Sequence, residues 1–235
     1  MPGSPQKPRI LNLQLSQLWS GDLGLTLISI SLVILVFVIL PLSQAGLRGR
    51  FFFDLLMVTL MISGALTQKH SRLLTVFVIA VLFACAVALW TSRVYPTAHL
   101  QELSSFLSLI ALLVYVRIVL LVMFREGPVT WSRIQGAVAA YLLLGLAWGS
   151  AFRLVEELHA GSFRFVSPPA NVDQLTSKLV YFSFVTLTTI GYGDIAPVSP
   201  AARSLAIAEA VVGQLFPAIF IGALVAMAMQ SRKSP

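Results

Sequence analysis

The sequence predicts an all-α membrane protein with six transmembrane helices and a seventh, shorter helix and loop folded back between the fifth and the sixth. Three observations carry this expectation. Of 235 residues, 57% are hydrophobic and only 11% charged, whereas soluble domains run closer to a quarter charged. Apolar stretches near or above the ~18 residues of a spanning helix recur along the chain. One stretch near the C-terminus, Ser183 to Pro197 (SFVTLTTIGYGDIAP), fits neither a core nor a lipid-facing helix, because two glycines spaced by one residue break a helix.

Within a tail of residues 1–22, residues 1–9 are Pro-rich and basic, and from Ile10 to Ser20 Leu11, Leu15, Leu18 and Trp19 fall at near-helical spacing; an interfacial helix and a loose tail both fit. The first span runs from about Leu23 to Leu40 and stops at Pro41. Ser43-Gln44-Ala45 resembles a signal-peptidase site, but the preceding apolar region exceeds the roughly 7–15 residues usual there, which favours an uncleaved span. The second span is Phe51 to Leu66. Beyond the basic turn Lys69 to Arg72, the third is Leu73 to Trp90 and the fourth Leu103 to Phe124. His70 and His99 read as solvated loop residues. The breaker Gly127-Pro128 separates this four-helix module, 23–127, from a second module, 128–235. There the fifth span is Trp131 to about Phe152, and Glu156 to Asn171, with Pro168-Pro169, forms a polar outer turret. Gln174 to Leu187 is a helix too short to cross, and Ser199 to Met229 is the sixth span, leaving Gln230 to Pro235 as a short tail.

A net charge of +7 does not imply nucleic acid here, because the basic residues are scattered over inter-helix loops, where topology and anionic lipid head groups account for them. Cys85, the one cysteine, lies in an apolar run as a small hydrophobe, so neither an intramolecular disulfide nor a zinc site is expected. No Ser/His/Asp or metal-ligand cluster suggests an enzyme or an organic cofactor. Six spans put both termini on one side. Lys/Arg counting does not say which: Lys7, Arg9, Lys69, Arg72, Arg125, Arg133, Arg232 and Lys233 stand against Arg48, Arg50, Arg93, Arg153, Arg164, Lys178 and Arg203.

The glycines of the odd stretch let consecutive carbonyls point the same way instead of alternating. A column of such oxygens, completed by the Thr189 hydroxyl, can replace the water shell of a cation. The run from Thr188 to Asp194, TTIGYGD, closely resembles the potassium-channel signature, with Ile190 where the commonest form has Val. The resemblance covers Trp131 to Met229. It implies a selectivity filter formed by Thr189, Ile190, Gly191, Tyr192 and Gly193, with K+ as the permeant ion bound at Thr189 to Tyr192. It also implies a homotetramer in the lipid bilayer, since one chain supplies a quarter of the ring. Asp194 then lies at the outer mouth and both termini are cytoplasmic, in the inner or plasma membrane of a prokaryotic cell.

Further roles are carried over residue by residue. Thr188 ends the short pore helix, whose C-terminal carbonyls carry partial negative charge. In the family, an aromatic residue thirteen before the filter Asp hydrogen-bonds to it; here the pair is Tyr181 and Asp194. Val185 stands where one branch carries a Glu, which removes a bracing contact. Gly213 lies where the family often has a hinge glycine, and Pro217 weakens the same helix; Gly213 equally fits a role in close helix packing. Glu209, a carboxyl within a span, is a functional candidate by default. It either braces the pore helix or filter through a hydrogen bond or is kept neutral by burial. In voltage-gated members the fourth helix carries basic residues every third position; here it carries Arg117 alone, and Asp54 lies near an end of its span. The expected function is passive, potassium-selective conduction without a strong voltage sensor. A weakly selective cation pore and a non-conducting regulatory subunit are the alternatives.

Overall fold

The computed structural model describes residues 29–39, 97–124 and 131–231, together with residues 80, 84, 87, 88, 90 and 91. A short apolar helix, α1 (Ser29–Val38), lies within the first predicted span, and from Leu35 to Ile39 the backbone is wound as π-helix. There follow α2 (Ala98–Met123), α3 (Trp131–Leu158), β1 (Phe163–Phe165), α4 (Val172–Leu187), β2 (Ile195–Pro197) and α5 (Pro200–Ser231). Among the described residues three stretches are long and apolar enough to cross a membrane: His99–Leu121, Arg133–Leu158 and Pro200–Ala226. They match the fourth, fifth and sixth predicted spans. The tail 1–22, the Ser43–Ala45 motif, the second span with Asp54, His70, Cys85 and the Gly127-Pro128 boundary lie outside the described residues, and the third span is described at a few positions only.

The helix α2 starts five residues before the predicted fourth span, because its first turns are polar and escape an apolar-run criterion. Ser104 Oγ donates to the Gln101 carbonyl at 2.8 Å and Ser108 Oγ to the Ser104 carbonyl at 2.7 Å, so these hydroxyls are satisfied within the helix. His99 is therefore helical and not in a loop, and its Nδ1 lies 3.8 Å from the Glu102 carboxylate. Leu112, Tyr115 and Val119 of α2 join Leu143 and Leu146 of α3 and Leu32 and Leu35 of α1 in one buried core.

The helix α3 likewise runs on to Leu158, through the expected start of the turret. An Arg153–Glu157 ion pair of 2.8 Å at i, i+4 supports its last turn. The Glu156 carboxylate then accepts the amides of Gly161 at 2.9 Å and Phe163 at 3.0 Å, closing the chain into β1. β1 pairs antiparallel with β2, Phe163 opposite Pro197 and Phe165 opposite Ile195, so the all-α expectation is corrected by a small sheet. That sheet ties the turret to the segment following Asp194. Behind it Phe152, Phe163 and Phe182 meet edge to face, with ring centroids 5.0–5.5 Å apart, locking α3, β1 and α4 together.

The helix α4 begins two residues earlier than predicted. Asn171 Oδ1 accepts the Gln174 amide at 2.9 Å, and Gln174 Oε1 accepts the Ala170 amide at 2.8 Å, a reciprocal cap. α5 opens with Pro200 in its first turn, where a missing N–H costs nothing. It extends to Ser231, into the predicted tail. Only 17% of its apolar span is buried within the chain, against 44% and 50% for the spans of α2 and α3. Ile207, Val211, Leu215 and Ile219, four residues apart, form an apolar row open on its surface.

Candidate functional site

The loop from Thr188 to Asp194 hangs from the C-terminus of α4, and backbone hydrogen bonds dictate its shape. A helix leaves its last four carbonyls without partners, and here all four find one. The Phe184 carbonyl accepts the Thr188 amide at 3.0 Å and the Thr188 hydroxyl at 2.6 Å. Val185 accepts Ile190 at 2.9 Å and Gly191 at 3.4 Å, Thr186 accepts Thr189 at 2.9 Å, and Leu187 accepts the Tyr141 hydroxyl at 3.2 Å. The loop amides are thus turned back toward the helix. The Val185 side chain makes no bracing contact of the kind a Glu would make, but its carbonyl does. The helix-end carbonyls expected to face a cation are engaged with these donors, so their influence on an ion is through the helix dipole.

Thr189, Gly191 and Gly193 have φ of +59°, +63° and +80°, with Ile190 and Tyr192 between them on the ordinary side. Positive φ at alternate residues is a backbone state that lets successive carbonyls point the same way instead of alternating. Among the described residues no hydrogen bond uses the carbonyls of Thr189, Ile190, Gly191 or Tyr192. Unpaired carbonyls within a membrane protein are costly unless they line a water- or ion-filled path. Thr189 to Gly193 are all exposed in the single chain, Ile190 at 54% and Tyr192 at 67%.

The Tyr181 phenol lies within electrostatic reach of the Asp194 carboxylate, the pair matched in sequence as a brace. The phenol is pushed up to about 12, first by burial, then by hydrogen bonding to Asp194 and by the charges of Asp194 and Tyr192. Its proton is favoured by the fold, so the stabilisation is present below about pH 10 and lost as pH rises toward 12. The Asp194 carbonyl also accepts the Val166 amide at 3.0 Å, so the residue is held from the turret side as well. Tyr181→Phe removes the hydroxyl and little else. A hydrogen bond to a charged group contributes roughly 1.5–3 kcal/mol, so the variant is expected to shorten conductive periods in single-channel records at neutral pH; unchanged dwell times contradict the brace.

Glu209 is fully buried on α5, its Oε1 2.5 Å from Ser183 Oγ on α4. Gly213, one turn further, presses on the end of α4: a Cβ there would lie 2.1 Å from the Leu187 carbonyl oxygen. Gly213 is therefore closely packed against the end of α4. Pro217 has no N–H for the Gly213 carbonyl, so the backbone ladder is weakened over this turn, though α5 continues through it.

Residues that sequence reasoning passed over complete the site. Gly145 and Gly149, a small-xxx-small pair on α3, let α4 approach closely; a Cβ would come within 2.5 Å of the Phe184 ring and 2.8 Å of Val180, respectively. Their spacing was the available signal. Tyr141 carried none, since a single Tyr on a spanning helix is unremarkable by pattern.

Comparison with known proteins agrees with this geometry. Residues 140–230 match the family described as "Ion channel". Over 86 residues the chain is 34% identical to two pore potassium channel c of Oryza sativa subsp. japonica, a match covering 37% of this chain and 17% of that one. Over 146 residues it is 31% identical to protein LctB of Bacillus caldotenax, covering 61% of this chain and 87% of LctB. No solved structure matches the chain. A membrane-spanning chain with this family match, and with a relative similar over most of its own length, is a member of the ion channel family and not of an enzyme family.

Proposed function

We propose that the protein conducts K+ passively and selectively through a homotetrameric pore whose filter is Thr189 to Gly193, with K+ coordinated at Thr189, Ile190, Gly191 and Tyr192. The single observation that carries this reading is the alternation of φ at Thr189, Gly191 and Gly193, which leaves a row of carbonyls without hydrogen-bond partners. Such a row substitutes for a cation's water shell when four copies surround one axis. The open apolar row on α5 supports assembly, since a soluble-facing role for it is disfavoured and other copies or lipid must cover it. Asp194 lies at the outer mouth and the termini are cytoplasmic. The test is the reversal potential of the purified chain in planar bilayers, with K+ on one side and Na+ on the other. A reversal far from zero toward the K+ potential is expected; one near zero refutes selectivity.

The fourth-helix charge sets a second expectation. Arg117 is the sole Lys or Arg on α2 and lies on an exposed side, six residues from Met123, or ~9 Å at 1.5 Å per residue. Its side chain covers most of that distance by snorkelling. Full transfer of one charge in each of four subunits contributes at most roughly 9 kcal/mol per 100 mV, against roughly 28–37 for a sensor with 3–4 charges per subunit. Open probability against voltage in symmetric K+ is expected to give an effective gating charge near zero. A value above about four per tetramer exceeds what α2 can supply.

A further inference from the structure

Three helices each contribute a pair of residues one turn apart to a single junction: Tyr141 and Gly145 on α3, Ser183 and Leu187 on α4, Glu209 and Gly213 on α5. They form two rungs. In one, the Leu187 carbonyl accepts the Tyr141 hydroxyl and presses on Gly213. In the other, Ser183 Oγ lies 2.7 Å from the Gly145 carbonyl and 2.5 Å from Glu209 Oε1, with all three residues buried.

The proton count of the second rung is informative. A serine hydroxyl carries one hydrogen, and a peptide carbonyl and an ionised carboxylate can only accept. If Glu209 were ionised, Ser183 could satisfy one neighbour only, and the other short oxygen–oxygen contact would hold no proton. If Glu209 keeps its proton, both contacts are hydrogen bonds. The surroundings agree. Glu209 is 0% exposed, and its Oε2 has no hydrogen-bond partner among the described residues. No Lys, Arg or His among the described residues forms an ion pair with it. From α3 the Tyr141 phenol is electrostatically coupled to it. β2, Ile195–Pro197, has no titratable side chain, and α4 meets it with the Ser183 hydroxyl. An unpaired carboxylate is far more costly to bury than a neutral acid.

We propose that Glu209 is a positioning residue that holds a proton: it donates to Ser183 Oγ, Ser183 donates to the Gly145 carbonyl, and the relay fixes the pore helix between α3 and α5. The relay matters for conduction because Ser183 lies on the same face of α4 as Leu187, immediately before the filter. Its role in conduction rests on the proposed function, whereas the protonation does not.

The protonation is read by infrared spectroscopy of the purified full chain in lipid at neutral pH, with Glu209→Gln as the reference. A carboxylic-acid C=O band present in the wild type and absent from Glu209→Gln is expected, shifted to higher frequency in Ser183→Ala, where its acceptor is lost. Gln keeps a neutral group with a donor, so K+ flux into liposomes should stay within about twofold of wild type for Glu209→Gln and fall about tenfold for Glu209→Ala and Ser183→Ala, which break the relay. Absence of the band overturns the proposal whether or not the chain conducts. A Glu209→Gln chain as impaired as Glu209→Ala, or unable to assemble, overturns it too. A band that persists in a chain without K+ flux retains the relay and removes only the reading of the pore.

Discussion

Gly191→Ala is expected to abolish potassium-selective conduction while leaving the helical scaffold folded. Gly191 sits at φ +63°, yet a Cβ built there meets nothing within 4 Å in the chain, so the cost is conformational and not steric crowding. Holding a side-chain-bearing residue in the left-handed region costs about 1–2 kcal/mol. In the proposed tetramer four subunits meet this cost together, roughly 4–8 kcal/mol, and the lower figure already depletes the conductive filter about a thousandfold. The loop escapes by rotating the peptide between Ile190 and Gly191, which turns one ring of carbonyls away from the axis. Thr189 shows what is needed to hold such a residue in place: its left-handed backbone is pinned by its own amide on the Thr186 carbonyl at 2.9 Å. Gly191 has only a 3.4 Å bond to Val185. Tetramer yield by size-exclusion chromatography and the bi-ionic reversal potential together check this. A folded variant retaining wild-type selectivity contradicts it.

Gly213→Ala is expected to do the opposite, damaging the assembly itself. Its new methyl would lie 2.1 Å from the Leu187 carbonyl oxygen, 2.8 Å from its carbon and 3.0 Å from its Cα. These are backbone atoms at the end of α4, so no side chain can rotate aside. Overpacking typically costs about 1–3 kcal/mol per site, or roughly 4–12 kcal/mol over the four subunits of the proposed tetramer. Separation of α5 from α4 also drags the Thr188–Asp194 loop, because its amides hang from the Val185 and Thr186 carbonyls. The expected result is a marked loss of thermal stability and tetramer yield. Pro217→Ala, by contrast, restores an N–H to the Gly213 carbonyl and should leave assembly intact while stiffening α5. If Gly213→Ala assembles normally and alters only opening and closing, the residue is a hinge and the packing role fails.

The positive φ of Gly191 and Gly193 was legible in the sequence, because two glycines at alternate positions have few other uses. The left-handed Thr189 was not, since nothing in a threonine's identity announces it; the helix-end carbonyls that hold it become visible only once α4 is folded. Glu209 stood out as a carboxyl in an apolar span, but its partner depended on which face of α4 meets α5, and single-chain periodicity does not relate two helices. The β1–β2 pair escaped for a similar reason: Phe163-Arg164-Phe165 is three residues among turn formers, and its partner lies some thirty residues on. Helix ends moved outward wherever polar first or last turns were stabilised locally, as by Ser104 in α2 and the Arg153–Glu157 pair in α3.

Anomalous diffraction from crystals of the chain grown in Rb+ tests the central claim most directly. Rubidium peaks strung along a four-fold axis, each level with carbonyls between Thr189 and Tyr192, are the expected result. An assembly in which these carbonyls face away from the axis, or an axis without rubidium beside them, contradicts it.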